Sequence, residues 1–366
     1  MPENTQNPIH ESDLFDIREL SRYMEIGKIG PMSIKGKIFT PLDKNIAPLG
    51  DYFKNQGYLA FFDITDDREN PHSINLGRSV IQTGIAEKSQ SRSTIISIVL
   101  FIATVFTTLL IGSLNRGGNP FINIKDFMLG IPFSFSLLLI LTGHELGHYF
   151  TARKHKVVVT LPYFLPIPHP LIGTMGAFIR IKSVLPNKNA LIRIGLMGPL
   201  VGFILAIPIT IIGIKFSEVV DTTQMTSAFR LGSSILFHVI YKIFHPNLPD
   251  GHDIMLHPMA FAGWLGFFVT AINLLPIGQL DGGHIAYAIF GRKRKYVMIG
   301  VIVALALMGL LWPGWFFWVL LILAFGLKHP KAQDEITPLT KKDKILGLAA
   351  LVILILAFIP SPFIIK

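Results

Sequence analysis

The stretch Ser136-Leu-Leu-Leu-Ile-Leu-Thr-Gly-His-Glu-Leu-Gly-His148 decides the fold, because an apolar run leads directly into a His-Glu-x-x-His pattern. The apolar run predicts a helix that crosses a membrane. On a helix, residues four apart share a face, so His144 and His148 can present ring nitrogens to one metal ion. Glu145 lies beside them and can accept a proton. The sequence therefore predicts metal-dependent chemistry inside a lipid bilayer.

The composition is that of an integral membrane protein. Of the 366 residues, 51% are hydrophobic and only 15% are charged, whereas about a quarter of the residues of a soluble protein are charged. The apolar residues concentrate after residue 93. We therefore expect a soluble head at 1–92, with a small α/β module at about 30–90, and a membrane domain at 93–366 with its catalytic core at about 94–290.

The periodicity predicts an α-helical polytopic membrane protein with about six to eight spans. The segments of adequate length are about 94–113, 127–149, 193–214, 254–276, 296–311, 315–327 and 345–364. Trp312-Pro313-Gly314 separates the fifth segment from the sixth, and the two form either a tight hairpin or one bent span. In the head, alternation predicts strands at 32–40 and 58–64, a helix at 42–56 and a further short element at 74–84.

The net charge of +10 is explained by membrane topology. We expect no nucleic-acid partner, because the basic residues cluster at the ends of apolar segments instead of forming a continuous stripe. Three groups fall on one side and place the head in the cytoplasm: Arg78, Lys88 and Arg92; Arg153, Lys154 and Lys156; and Arg292 to Lys295. The first sixteen residues have no secretory or transit pattern, which favours a prokaryotic cell (inner) membrane.

Two histidines leave a catalytic zinc site incomplete, because such a site takes three protein ligands and a water. The chain has no cysteine, so the third ligand must be histidine or a carboxylate. The segment Asn273-Leu-Leu-Pro-Ile-Gly-Gln-Leu-Asp-Gly-Gly-His284 supplies Asp281 at the end of the fourth apolar segment. We expect the two glycines after Asp281 to let the backbone unwind close to the metal.

These motifs together resemble the site-2 protease family of intramembrane zinc metalloproteases. The resemblance covers about residues 94–290, and it is closest to the branch without a PDZ domain that includes chloroplast-type and prokaryotic members. It implies one catalytic Zn²⁺ held by His144, His148 and Asp281, with Glu145 as general base. Asn273 is then a candidate to orient the substrate or stabilise the oxyanion; the alternative is a helix-bracing amide. The implied substrate is a single-span membrane protein cut in or near its transmembrane segment.

The loop at 157–182 contains four prolines that forbid a regular helix, whereas the residues from Gly176 to Ile181 alternate as a strand. We expect a re-entrant β loop near the active site, since irregular backbone at membrane depth must line protein or water. An exposed edge strand can pair with an unwound substrate helix. The candidate substrate-binding residues are Thr174, Gly176, Ala177, Phe178 and Ile179.

Two other functions would fit parts of this pattern. A different membrane zinc protease would take its third ligand from a glutamate on a later helix, but between Lys215 and Asp334 only Glu218 is available. A non-proteolytic scaffold or transporter on the same fold should have lost a ligand or the base, and none is lost. The glycines Gly195, Gly198 and Gly202 predict a close helix-packing seam. The sequence does not indicate an oligomeric state.

Overall fold

The computed structural model describes residues 16–30, 32–78, 85–167, 169–221, 230–325 and 331–364, which fold as two units. The first unit contains Met1–Gly84 together with two later segments, Val184–Lys188 and Lys331–Leu339. The second unit contains Ile85–Ser183, Asn189–Pro330 and Thr340–Lys366.

The first unit is built on a four-stranded antiparallel sheet of order β1-β2-β4-β3. Its elements are α1 (Ile17–Leu20), β1 (Met24–Gly30), β2 (Ser33–Ile38), α2 (Leu42–Asn55), β3 (Tyr58–Ile64) and β4 (His72–Arg78). The predicted strands and helix are confirmed, whereas β1 was not predicted. The part of the predicted 74–84 element after Arg78 lies outside the described residues.

The core of the first unit follows from the helical spacing of apolar residues in α2. Ile46, Leu49 and Phe53 lie on one face and are buried in a cluster with Phe62 and Ile74 of the sheet. Burial of such side chains is worth about 2 kcal/mol each. The sheet is therefore covered by α2.

The two later segments extend the sheet beyond β3. The Phe62 N–H donates to the Gln333 carbonyl at 2.7 Å, and the Glu335 N–H donates to the Phe62 carbonyl at 3.0 Å. Gln333 in turn donates to the Leu185 carbonyl at 2.8 Å. The edge of β3 is therefore paired with chain that lies more than 250 residues away in the sequence.

The second unit is mostly helical. Its helices are α3 (Ile85–Leu114), α4 (Ile131–Lys154), α5 (Lys188–Lys215), α6 (Ile235–Phe244), α7 (Pro258–Asn273), α8 (Asp281–Phe290), α9 (Arg294–Met308), α10 (Gly314–Phe325) and α11 (Lys341–Ala357). Its strands are β5 (Tyr163–Pro166), β6 (Thr174–Phe178), β7 (Glu218–Asp221), β8 (Arg230–Leu231), β9 (His252–Met255) and β10 (Phe363–Ile364). A 3-10 helix, Ile124–Gly130, leads into α4.

Three helical segments of the described chain are long and apolar enough to cross a membrane: Ser93–Leu114, Ile124–Lys154 and Lys188–Lys215. The chain is thus a helical membrane protein. The other predicted spans correspond to the shorter helices α7, α9, α10 and α11. The predicted interruption at Trp312-Pro313-Gly314 is confirmed, because α9 ends at Met308 and α10 begins at Gly314.

Helices α4, α5 and α7 pack closely where their side chains are small. A methyl group on Gly266 of α7 would lie 3.0 Å from Ile140 of α4 and 3.1 Å from Ala206 of α5. Around this layer the side chains of Leu137, Phe203 and Phe267 are buried in one cluster. This packing holds the carboxyl-terminal half of α4, which carries the His-Glu-x-x-His pattern.

Strands β5 and β6 form an antiparallel hairpin in which Tyr163 pairs with Phe178 and Phe164 with Ala177. The strand predicted from Gly176 to Ile181 is confirmed up to Phe178, and Ile181 forms an isolated bridge with Val159. Gly173 and Gly176 have φ of +76° and +97°, a conformation that glycine adopts readily. The hairpin is therefore shaped by its glycines.

Candidate metal centre

The structure brings His144, His148 and Asp281 together. The two Nε2 atoms lie 3.1 Å apart, and the Oδ2 atom of Asp281 lies 3.3 Å from Nε2 of His144 and 3.2 Å from Nε2 of His148. The histidines are one turn apart on α4, whereas Asp281 is the first residue of α8. Among the described residues, this is the one group of three or more potential ligands that could hold a metal ion.

The donor atoms fit a zinc ion by distance and by type. Zinc bonds imidazole nitrogen and carboxylate oxygen at about 2.0–2.2 Å, usually as a tetrahedron, so two ligand atoms of one site lie about 3.4 Å apart. The three measured separations of 3.1 to 3.3 Å are close to that edge length. Two imidazoles and a carboxylate also leave one position for water, as catalytic zinc requires.

Asp281 reaches the histidines through a close turn before α8. A methyl group on Gly282 would lie 2.0 Å from the Leu274 carbonyl oxygen, and one on Gly283 would lie 2.4 Å from the Gly278 carbonyl oxygen. The expected unwinding of the backbone at these glycines is wrong, because both lie in the first turn of α8. They instead let α8 start directly against the end of α7.

The glycines of α5 bring this helix against the two candidate ligand histidines. A methyl group on Gly198 would lie 2.0 Å from Nε2 of His148, and one on Gly202 would lie 3.2 Å from Nδ1 of His144. Gly195 faces α8 in the same way, because a methyl group on it would lie 3.1 Å from the Asp281 carbonyl oxygen. The predicted packing seam is confirmed, and it borders the ligand nitrogens.

Glu145 is buried beside the histidines, with 6% of its surface exposed. Its carboxylate accepts a hydrogen bond from the backbone N–H of Ile179. The Nδ2 atom of Asn273, at the end of α7, lies 3.5 Å from Nε2 of His144. The general-base candidate and the amide candidate are thus both next to the three ligand atoms.

The five candidate substrate-binding residues lie on or just after β6, and they differ in what they contact. The Thr174 hydroxyl donates to the Leu165 carbonyl at 2.9 Å and is buried within the hairpin. No atom lies within 4 Å of a methyl group placed on Gly176. The Phe178 ring is 47% exposed, and Ala177 is partly buried. Ile179 has the backbone contact to Glu145.

Two supporting features were not predicted. The Ile194 carbonyl accepts a hydrogen bond from Nδ1 of His148 at 2.7 Å; a backbone acceptor has no signal in the sequence. Next to it, Arg193 forms a two-point ion pair with the fully buried Asp343 of α11, at 2.7 and 3.1 Å. Part of the signal for this pair was available, because Arg193 is an isolated charge within the apolar helix α5 and requires a partner.

Comparison with known proteins agrees with this arrangement. The model of peptidase family M50 matches residues 132–311, which include all three ligand candidates. The probable zinc metalloprotease EGY2, chloroplastic, of Arabidopsis thaliana is 32% identical over 254 residues, which is 67% of this chain and 44% of that protein. Its rice counterpart (Oryza sativa subsp. indica) is 27% identical over 346 residues, 90% of this chain and 61% of that protein.

The probable zinc metalloprotease EGY1, chloroplastic, of Arabidopsis thaliana is 32% identical over 241 residues, 63% of this chain and 43% of that protein. The chain thus spans less than half the length of the two Arabidopsis relatives. No solved structure matches the chain. Residues 132–311 therefore form a peptidase family M50 (site-2 protease) domain, and the chain is a homologue of the plant zinc metalloproteases.

Proposed function

We propose that this protein is a zinc-dependent intramembrane endopeptidase that hydrolyses a peptide bond within or near the transmembrane segment of a single-span membrane protein. One observation supports this function above the others. Three ligand atoms with zinc-like separations lie beside a buried carboxylate on a helix long enough to cross a membrane. The membrane metalloprotease domain is assigned to residues 93–366, with its catalytic core at about 94–290, and the soluble head to 1–92.

His144, His148 and Asp281 are assigned as the zinc ligands. A zinc ion held by such residues polarises a carbonyl group and makes a bound water a stronger nucleophile at neutral pH. Glu145 takes the proton from the attacking water and delivers it to the nitrogen of the leaving amine. Its position next to both histidines on α4 supports this role.

Asn273 is assigned to the oxygen that gains negative charge during the attack. Its amide N–H is a suitable donor for that oxygen, and its 3.5 Å separation from the His144 nitrogen puts it within reach of a group bound at the ligands. In the bracing alternative, the amide holds α7 against α4. Asn273→Ala should therefore keep zinc and lose turnover if the amide is catalytic, but lose zinc if it only braces the helices.

We assign substrate binding to the free edge of β6 and the residues Thr174, Gly176, Ala177, Phe178 and Ile179. Two contacts support this edge. The Ile179 N–H donates to Glu145, and the Arg180 N–H donates to the Thr160 hydroxyl at 3.0 Å on the other side. Since N–H groups alternate along an extended strand, the Ala177 N–H lies on the same edge as that of Ile179. A substrate paired there would lie beside the general base.

The proposed topology has six to eight crossings and a re-entrant hairpin at β5 and β6. Adding α7, α9, α10 and α11 to the three long helices gives seven crossings. The basic residues at the ends of α4 and α9 orient the head toward the cytoplasm. The prokaryotic inner membrane remains an expectation from the sequence alone, and the chloroplastic names of the relatives do not support it.

Cysteine labelling tests this orientation cleanly, because the chain has no cysteine. Lys125→Cys, before α4, should react in intact cells with a membrane-impermeant maleimide. Lys293→Cys, between α8 and α9, should react only after the cells are opened. Both side chains are exposed. The reverse pattern would contradict the proposed orientation.

The catalytic assignment is tested by measuring zinc content and cleavage of a single-span substrate with the same purified samples. Glu145→Gln should retain zinc and lose cleavage by about a thousandfold, whereas Asp281→Ala should lose both. Glu218→Gln, outside the centre, is the matched control and should behave like wild type. Full cleavage by Glu145→Gln would contradict the mechanism, whereas no cleavage by the zinc-loaded wild type would favour the scaffold or transporter alternative.

A further inference from the structure

A second site of interest is a cavity of about 290 Å³ in the second unit. Phe133 lies in its wall, at the beginning of α4, and precedes His144 by eleven residues, a rise of about 16 Å along a helix. The cavity therefore lies at the end of α4 that is remote from the candidate metal centre. It is not part of the site that binds zinc.

The polar side of the cavity carries positive charge and hydrogen-bond donors. Arg116 and Asn115 line it, directly after the end of α3. Among the residues that the structure describes, no recorded ion pair gives Arg116 an acidic partner. A guanidinium and an amide that line one cavity are donors suited to a phosphate or carboxylate group.

The other walls are apolar and aromatic. The rings of Phe133 and Phe261 are stacked with centroids 5.8 Å apart, and Leu256 lies beside them. The lining thus combines one cationic side chain with apolar and aromatic ones. It fits an amphiphile better than a fully hydrated anion.

The chain next to the cavity is apolar and exposed. Between α3 and α4, the side chains of Phe121, Ile122, Ile124 and Met128 are 67% to 84% exposed. Large apolar side chains exposed this close together in the sequence are typical of contact with a membrane or a partner. The segment connects two candidate spans, Ser93–Leu114 and Ile124–Lys154, so we expect it near one surface of the bilayer.

We propose that the cavity binds the headgroup of an anionic glycerophospholipid. The phosphate accepts hydrogen bonds from Arg116 and Asn115, and the start of an acyl chain lies against the aromatic wall. Free phosphate shares the anionic chemistry but gains nothing from the apolar walls, and it does not explain the exposed segment Phe121–Met128. A lipid accounts for all three features: its phosphate meets the positive charge, its acyl chain meets the apolar walls, and it is present where the segment meets the bilayer.

The test uses the full chain in detergent, titrated with phosphatidylglycerol, phosphatidylcholine or inorganic phosphate and followed by native mass spectrometry. One phosphatidylglycerol should be retained in preference to phosphatidylcholine. Arg116→Gln should weaken its binding about tenfold, the effect of losing one charge-assisted hydrogen bond. Leu256→Trp, which fills the cavity without a change of charge, should do the same.

Lys125→Gln is the matched control, because Lys125 is an exposed cation of the same interfacial segment. It should weaken binding less than about threefold. Zinc content reports that each variant is folded, and Arg116→Lys should restore part of the affinity. Equal losses in Arg116→Gln and Lys125→Gln, equal retention of phosphatidylcholine, or displacement of the lipid by millimolar phosphate would each overturn the proposal. If Arg116→Gln changed the cleavage only of substrates that carry an acidic residue next to the transmembrane segment, the cavity would be assigned to substrate binding. That result would overturn the lipid proposal as well.

Discussion

Nδ1 of His148 lies 2.7 Å from the carbonyl oxygen of Ile194. Because Nδ1–H donates to this oxygen, the lone pair of the imidazole is left on Nε2, which is the nitrogen that faces His144 and Asp281. Metal-binding histidines are commonly oriented by such a bond. Helix α5 therefore sets both the tautomer and the direction of one proposed zinc ligand.

The same helix predicts a graded effect of glycine substitutions on zinc binding. A methyl group on Gly198 would fall 2.0 Å from Nε2 of His148, whereas one on Gly202 would meet His144 at 3.2 Å. Gly198→Ala should lower zinc affinity by at least about tenfold, the range seen when the support of a ligand is disturbed. Gly202→Ala should have a smaller effect, and zinc content after dialysis against a chelator measures both.

Gly300→Ala is the control for this series, because Gly300 is also a helical glycine but has no atom within 4 Å of the added methyl group. It should bind zinc like wild type and should stabilise α9 slightly, by about 0.5–1 kcal/mol. If Gly198→Ala and Gly300→Ala retained the same amount of zinc, the role assigned to the seam would be wrong.

The ligand cluster could be predicted because its parts follow local rules. His144 and His148 share a helix face by their spacing, and Asp281 is a carboxylate at the end of an apolar segment, where an isolated charge is costly. The structure brings these three residues together. Helix α2 and strand β3 could be predicted equally well, since the apolar periodicity of their sequences is strong.

Features that depend on distant pairing could not be predicted. The edge of β3 at Phe62 pairs with Gln333 and Glu335 through backbone groups, which leave no pattern in either segment. β1 was missed because Met24–Gly30 contains charged and glycine residues at positions that weaken the alternation. The pairing of Glu218–Asp221 with His252–Met255 was missed because, like the pairing at Phe62, it rests on backbone hydrogen bonds between separate segments.

The free edge of β6 leads to a prediction about cleavage. Proline at Ala177 removes the N–H that we assign to pairing with substrate, while it leaves Ile179 and its bond to Glu145 in place. Ala177→Pro should reduce cleavage of a single-span substrate by about tenfold or more, since one backbone hydrogen bond and the strand geometry around it are lost. Cleavage and zinc content are measured on the same sample.

Ala177→Ser keeps the N–H and changes the side chain only, so it should cleave at nearly the wild-type rate. Retained zinc in Ala177→Pro shows that the hairpin has not disturbed the metal centre. Undiminished cleavage by the folded, zinc-loaded proline variant would exclude substrate pairing at this edge.

In the first unit, Glu335 predicts a dependence of stability on pH. Burial and the neighbouring Asp63 carboxylate raise the pKa of Glu335 from 4.5 to about 7, although the Lys188 charge acts in the opposite direction. Since the pKa is higher in the folded state, the folded protein binds this proton more tightly than the unfolded chain does. The stabilising contribution is complete below about pH 4.5 and is lost as the pH rises through about 7.

The first unit should therefore become less stable between pH 5 and pH 8, by about 1 kcal/mol once the partial exposure of Glu335 is allowed for. Hydrogen exchange of the Phe62 amide, which donates to Gln333, measures this stability when corrected for the intrinsic effect of pH. Glu335→Gln cannot titrate and should flatten the dependence. Glu25→Gln, at an exposed position of β1, should retain the wild-type slope, and an unchanged slope in Glu335→Gln would assign the effect to another group.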